Sequence, residues 1–350
     1  MSGARRQLHR QRRREARQFL FWLVIGFALC ELPLGWLVER TPQLRDPETA
    51  EKFADLEACR RARPDRPLVM AFGSSRTAMA FDAKYLTENS SGPEVLVYNM
   101  SIPGCGPMLQ NIMLERVLAR GIRPDLIFLE IMPIMFVTRR GQLAEEKLLN
   151  AARLRNDELW VCNLTLNKRW LSWKYYWHRC LPILEYQGEL NYHFLGGRPH
   201  TFVEFGMRAT PSTTTPECGQ LMHTIAREQY AKYCACSELA MEPLQGVARF
   251  VERCRELKIP VRLMVMPEGS FFRNFYSAAA WQLQDRLIEV WRNDWNLEVI
   301  DARRWLPDEY FWDGHHVLRP GALAFTARFA REVLGPALQK PSELWAVKGE

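Results

Sequence analysis

Apolar positions fall into two patterns along this chain. Short unbroken runs, LVMAF (68–72), VLVYN (95–99), LIFLEI (126–131), VRLMVM (261–266) and LEVID (297–301), have the length and β-branched content of fully buried strands. Between and after them, apolar residues recur every three or four positions: MLQNIMLERVLAR after Pro107, LQGVARFVERCRELK (244–258), AAAWQLQDRLIEVWR (278–292) and PGALAFTARFAREVL (320–334). That spacing predicts helices, opened by Pro107 and Pro320 and, for the first, closed by Gly121. Buried strands alternating with amphipathic helices predict a doubly wound α/β domain with a parallel sheet covered on both faces.

Two segments break the alternation. Residues 19–38, FLFWLVIGFALCELPLGWLV, form a mostly apolar stretch of about the length that spans a bilayer as a helix, with Glu31 and Pro33 in its last third. Residues 133–240 lose the strand–helix rhythm and read as an insertion. Within it, WLSWKYYWHRCLPILEYQGELNYHFLGG (170–197) is crowded with aromatic residues, suited to the small core of the insertion, to stacking on sugar rings, or to resting on a membrane surface. The predicted organisation is a basic tail (1–18), a membrane anchor (19–38), a tether (39–66) and the α/β domain (67–345) with its insertion.

Charge sharpens the picture at the N-terminus. The formal net charge is +7, but seven arginines and a single acid, Glu15, lie in the first 18 residues, and the remainder is close to neutral. A nucleic-acid-binding domain would carry its basic charge on the folded body, so no nucleic-acid partner is expected. Arginines directly before an apolar span favour keeping the N-terminus in the cytoplasm, leaving a single-pass protein of the inner or cytoplasmic membrane with its C-terminal domain outside. No small-x-small cleavage site follows the apolar run, which favours an anchor over a cleaved signal. Among the nine cysteines, Cys218, Cys234 and Cys236 lie close enough for one disulfide in such a compartment. Cys234-Ala-Cys236 lacks structural zinc spacing, and neither metal nor cofactor is predicted.

Candidate chemistry collects where ligands bind in a parallel sheet, beyond the carboxyl ends of the strands. The first strand ends in Gly73-Ser74-Ser75-Arg76. The second leads into a loop from Asn99 to Gly106, with Gly104 and Gly106 allowing close backbone approach. The fourth leads to Glu268 and Arg273, which with Arg76 are candidates for substrate binding, and the last to Asp313, His315 and His316. A serine hydroxyl becomes a nucleophile when a histidine takes its proton and a carboxylate orients that histidine. Ser75, His316 and Asp313 fit those roles, with His315 pointing elsewhere and the N–H groups of Ser75 and Gly104 facing a developing oxyanion. Taken alone, Gly-Ser-Ser reads as readily as a helix cap, and His-His as half of a metal site.

Gly73-Ser74-Ser75, the loop YNMSIPGCGP and Asp313-Gly-His-His316 followed by Gly321 together resemble the SGNH/GDSL hydrolase superfamily over roughly residues 67–335. The resemblance is to its membrane-anchored extracytoplasmic branch, which includes the D-alanyl transfer protein of teichoic acids and the alginate O-acetylation proteins. It implies a flavodoxin-like three-layer fold, Ser75 as nucleophile, His316 as base, Asp313 as its partner, and Ser75 and Gly104 as oxyanion donors. It further implies an esterase or O-acyltransferase acting on acyl groups of an envelope polysaccharide or glycolipid, with a membrane acyl-donor protein as a partner. The third block of that family supplies a Gly-x-Asn donor. Here FLEIMPIM places Glu130 and Met132 in those slots, leaving Asn99 as a substitute donor. A catalytically silent scaffold that binds glycan or a membrane partner is the alternative.

Overall fold

The computed structural model describes residues 2–89, 93–159, 162, 169–195 and 204–339, in two compact units: residues 1–50 with 150–200, and residues 51–149 with 201–350. Parts of the aromatic insertion (196–197) and the expected end of the α/β domain (340–345) lie outside the described residues.

The first unit is helical. Helix α1 (Ser2–Arg40) continues unbroken through Pro33, and its stretch Gln11–Arg40 is long and apolar enough to cross a membrane. Short helices of the insertion, Arg169–Cys180, Pro182–Glu185 and Gln187–Leu195, pack with its C-terminal end around a small core of Val38, Leu44, Ala152 and Tyr186. Glu31, the acid within the apolar run, is buried in this packing, where it accepts a hydrogen bond from the Ile183 amide at 3.2 Å.

The second unit is α/β. Its sheet has five parallel strands, β1 (Leu68–Phe72), β2 (Leu96–Asn99), β3 (Leu126–Glu130), β4 (Val261–Val265) and β5 (Val299–Asp301), in the order β2-β1-β3-β4-β5. This is the flavodoxin-like order, and every residue of β1, β2 and β3 is buried, so both faces of the sheet are covered. Flanking it are α2 (Pro47–Ala62), α3 (Ser75–Ala80), α4 (Pro107–Leu118), α5 (Met241–Glu256), α6 (Ala278–Asn293) and α7 (Arg319–Phe329). Helix α4 packs on α5, and α7 on α3.

Two differences from the expected organisation have clear causes. The predicted tether (39–66) has room for one helix, and that helix, α2, is packed rather than free. Its Phe53 and Leu56 sit in the α/β core, and buried Lys52 donates to the carbonyls of Asn99 and Gly206. A charged, proline-bearing stretch conceals this because the buried ammonium donates to backbone carbonyls, which leave no trace in sequence. The insertion is also divided. Residues 150–200 cluster with α1, whereas 133–149 and 201–240 belong to the α/β unit, where Ile134, Met135, Phe136 and Met207 join the core. None of the nine cysteines forms a disulfide, so the pairing considered for Cys218, Cys234 and Cys236 is not made.

Candidate functional site

Strand order reverses between β1 and β3, and that switch point is where the side chains converge. Phe72 is registered opposite Leu129, which places Gly73 and Ser74 beside Glu130. The two adjacent serines face different partners. Ser74 is the N-cap of α3, and its hydroxyl accepts from the Arg76 amide at 3.2 Å. Its own amide donates to Glu130 Oε2 at 2.6 Å, and its hydroxyl donates to Glu130 Oε1 at 2.9 Å. Ser75, at the first helical position, turns the other way, and its Oγ lies 2.7 Å from His316 Nε2.

His316 is supplied by a tight loop after β5. An antiparallel bridge between Phe311 and Val317 closes the base of the loop, and the Trp312 amide donates to the His316 carbonyl at 3.2 Å. Gly314 takes φ +88°, a conformation that favours glycine, and a Cβ there would lie 3.0 Å from Phe271. That turn lets Asp313 Oδ1 accept the amides of His315 (3.0 Å) and His316 (2.7 Å), while Oδ2 receives His316 Nδ1–H at 2.6 Å. With Nδ1 carrying the proton, Nε2 is left as the acceptor facing Ser75. Burial works to raise the Asp313 carboxyl, but the neighbouring imidazoles and the hydrogen bonds from His316 outweigh it and hold the carboxyl well below the usual range. Asp313 is therefore ionised.

His315 does not point away. Its ring is buried 4.0 Å from that of His316 and within 5 Å of Tyr230 and Phe272, and its Nδ1 lies 3.3 Å from Asp313 Oδ1. Burial, reinforced by the neighbouring His316, keeps its imidazole well below its ordinary pKa and neutral. Asp313, His315 and His316 are also the one cluster of three metal-type ligands among the described residues. An ion bound there would displace the His316–Asp313 hydrogen bond and would take water as a further ligand.

The remaining sequence-derived candidates fare differently. Arg76 is buried and paired with buried Glu268 at 3.1 Å, and its guanidinium donates to the carbonyls of Met266 and Pro267 at 3.0 Å each. Glu268 also accepts from the Tyr276 hydroxyl at 3.0 Å. Arg273 donates to the carbonyls of Glu268 and Arg303. With Arg76 and Glu268 sealed in the interior, substrate binding is corrected for these two to bracing the loop after β4 against the serine corner, while half-buried Arg273 remains a candidate. Asn99 is fully buried, with both amide hydrogens given to the carbonyls of Thr77 (2.9 Å) and Phe81 (2.8 Å), which leaves no N–H for an oxyanion.

Gly104 takes φ +74° in a loop tied to the same corner, where Met100 and Ile102 donate to the carbonyls of Ala71 and Gly73. Cys105 beside it is buried, and burial, with Glu145 and Glu130 nearby, pushes its thiol pKa well up, away from nucleophilic character.

Sequence reasoning gave no role to two carboxylates. Glu130 anchors the serine corner, and it also accepts the Thr77 hydroxyl at 2.7 Å. An acid ending a wholly apolar strand beside Gly-Ser-Ser was the available signal, because a buried carboxylate requires donors. Glu145, buried within the insertion, accepts the first-turn amides of α4 from Met108 (3.1 Å) and Leu109 (3.0 Å). No motif announced it.

Residues 50–161, which include β1 to β3 and the serine corner, match the model of a family described as "Protein of unknown function (DUF1574)". No curated protein matches the chain. Among solved structures, it is similar to a lipase/acylhydrolase from Enterococcus faecalis at 14% identity and a TM-score of 0.34, over 77% of this chain and 96% of that one. A likeness that distant bears no weight on the chemistry, which rests on the contacts above.

Proposed function

We propose that this chain is a membrane-anchored serine esterase or O-acyltransferase acting outside the cytoplasm on acyl groups of an envelope polysaccharide or glycolipid. One observation carries the proposal: the unbroken hydrogen-bonded series Ser75 Oγ, His316 Nε2, His316 Nδ1 and Asp313 Oδ2 at the carboxyl edge of the sheet. Nothing in binding alone requires these groups in that order.

Ser75 Oγ attacks the acyl carbonyl as its proton passes to His316 Nε2, and Asp313 steadies the imidazolium. The oxyanion is met by the Ser75 amide, which as a first-turn N–H has no intrahelical acceptor, and by the amide of Gly104. Collapse expels the alcohol, which takes the proton from His316 and leaves the acyl group on Ser75. Water or a sugar hydroxyl then gives its proton to His316 and attacks the acyl-enzyme, and Ser75 Oγ leaves as His316 returns that proton to it. Either acceptor satisfies the same three side chains. The arginine-rich segment before the apolar span supports the outward placement of the domain, and a membrane protein supplying the acyl group fits that placement.

One observation favours a second reading. The Asn99 amide is spent and a carboxylate, Glu130, occupies the third-block position, so the oxyanion donors reduce to backbone amides. A silent scaffold that binds glycan or a membrane partner would tolerate that loss.

Labelling with a fluorophosphonate serine probe separates the two readings. Modification of the native chain that is abolished in both Ser75→Ala and His316→Ala supports the enzyme. Modification persisting in Ser75→Ala removes Ser75 as nucleophile, and a folded chain that never labels favours the scaffold. A reporter fused after Glu350 that is active in the cytoplasm would overturn the outward placement.

A further inference from the structure

The insertion helix Arg169–Cys180 turns an aromatic face outward. Trp173, Tyr176, Trp177 and Cys180, at the i, i+3, i+4, i+7 spacing of one helix face, are all exposed, with Trp173 at 76% and Trp177 at 60%. Its inward positions carry Tyr175, His178 and Arg179, and Lys174 is exposed. Buried His178 pairs through Nδ1 with Glu185 at 2.7 Å. Arg179 donates to Glu39 at 2.6 Å and to the carbonyls of Ala152 and Leu154 at 2.9 Å each. The apolar exterior continues into the next helices through Leu184, 72% exposed, and Phe194, 63% exposed.

A helix in water hides its aromatic face and shows its charges. This one exposes Trp173, Tyr176 and Trp177 together with Lys174 and buries His178, beside a helix that is itself apolar on its outside. Its attachment to α1 lies at one end of the apolar run. Glu31 receives the Ile183 amide, Glu39 receives Arg179, and Gly35 admits the Arg179 carbonyl so closely that a Cβ there would lie 2.5 Å from it. Trp36, also exposed, stands at the same level. Tryptophan and tyrosine gathered at the end of an apolar span form the aromatic belt that settles at the boundary between headgroups and acyl chains.

We propose that the insertion helices lie in the membrane interface of the leaflet reached by residues 31–39, with Trp173, Tyr176, Trp177 and Leu184 set among the lipids. The occupant of this face is phospholipid. His178 and Arg179 are turned inward, and the charged side chain beside the exposed rings, Lys174, has a long apolar stem that lets its ammonium reach the headgroup level while the rings stay among acyl chains. The inference rests on the membrane-anchor part of the proposed function and is independent of its chemistry.

The test uses the full chain in nanodiscs of phosphatidylethanolamine and phosphatidylglycerol, with benzoylphenylalanine introduced singly at position 173, 177 or 184. Position 23, within the span, reports lipid contact, and position 289, exposed on α6, reports background. Light-induced phospholipid adducts at 173, 177 and 184 in yields like that at 23, absent at 289, are the expected result. Adducts at 23 with none at 173, 177 and 184 would overturn the proposal, as would crosslinks from these positions to a second polypeptide or to added glycan. No adduct at 23 would overturn the anchor and the interfacial placement together. Failure of the serine chemistry would leave all of these adducts unchanged.

Discussion

Glu130 holds both polar groups of Ser74, taking the amide on Oε2 at 2.6 Å and the hydroxyl on Oε1 at 2.9 Å. With Thr77 on Oε2 as well, three buried donors depend on one carboxylate. Glu130→Ala leaves all three unpaired and is expected to cost about 3–5 kcal/mol. Chemical denaturation reads the loss, and fluorophosphonate labelling of Ser75 should fall with it because α3 loses its anchor. A variant of native stability would show that the corner needs no carboxylate.

Asp313→Asn preserves an oxygen for the two loop amides but places an amide opposite His316 Nδ1, favouring the wrong tautomer. A fall of roughly 10⁴-fold in the labelling rate, with the melting temperature nearly unchanged, is expected. A rate within about tenfold of the native chain would reduce Asp313 to a builder of the loop.

Arg76→Met strands Glu268 in the interior and should cost about 3–5 kcal/mol, whereas Arg76→Met with Glu268→Leu removes both charges and should recover most of it. Thermal melts of the two variants decide this. Equal destabilisation of both would mean that Arg76 contributes packing or carbonyl contacts rather than charge pairing.

Burial raises the Glu145 carboxyl to about 7, against the pull of the amides it accepts. Between its ordinary pKa and 7 the folded chain holds a proton that the unfolded chain has released, so stability falls as pH rises through that window. The contribution is fully present below the ordinary carboxylate range and is lost above 7, on the order of 3 kcal/mol in total. Denaturation of native and Glu145→Gln chains from pH 4 to 8, roughly the span in which Glu145 titrates, should show a downward slope that is absent in the variant. Parallel slopes would assign the native pH dependence to other groups.

The sheet was legible because its strands are continuous apolar runs bounded by glycine and proline, a pattern with few other solutions. Its carboxyl edge follows from parallel topology, which sends Ser75, Asp313 and His316 to loops at that edge. Direction within a loop was another matter. Arg76, Glu268 and Asn99 reach the same edge but turn inward, because each finds a carbonyl or opposite charge there that no periodicity records. Lys52 in α2 escaped notice for the same reason, since an ammonium that donates to carbonyls looks in sequence like any surface lysine. The outward aromatic face of the Trp173 helix also stayed hidden, because periodicity marks an apolar face without saying what covers it.

Ser75 and His316 are separated by 241 positions, one following the first strand and the other following the last. A partly synthesised chain therefore carries its hydroxyl without a base, and no fragment ending before the final hairpin-like loop can hold the pair. The Ser75–His316 hydrogen bond is then a signature of completed assembly, made in one late, long-range closure rather than accumulated along the way.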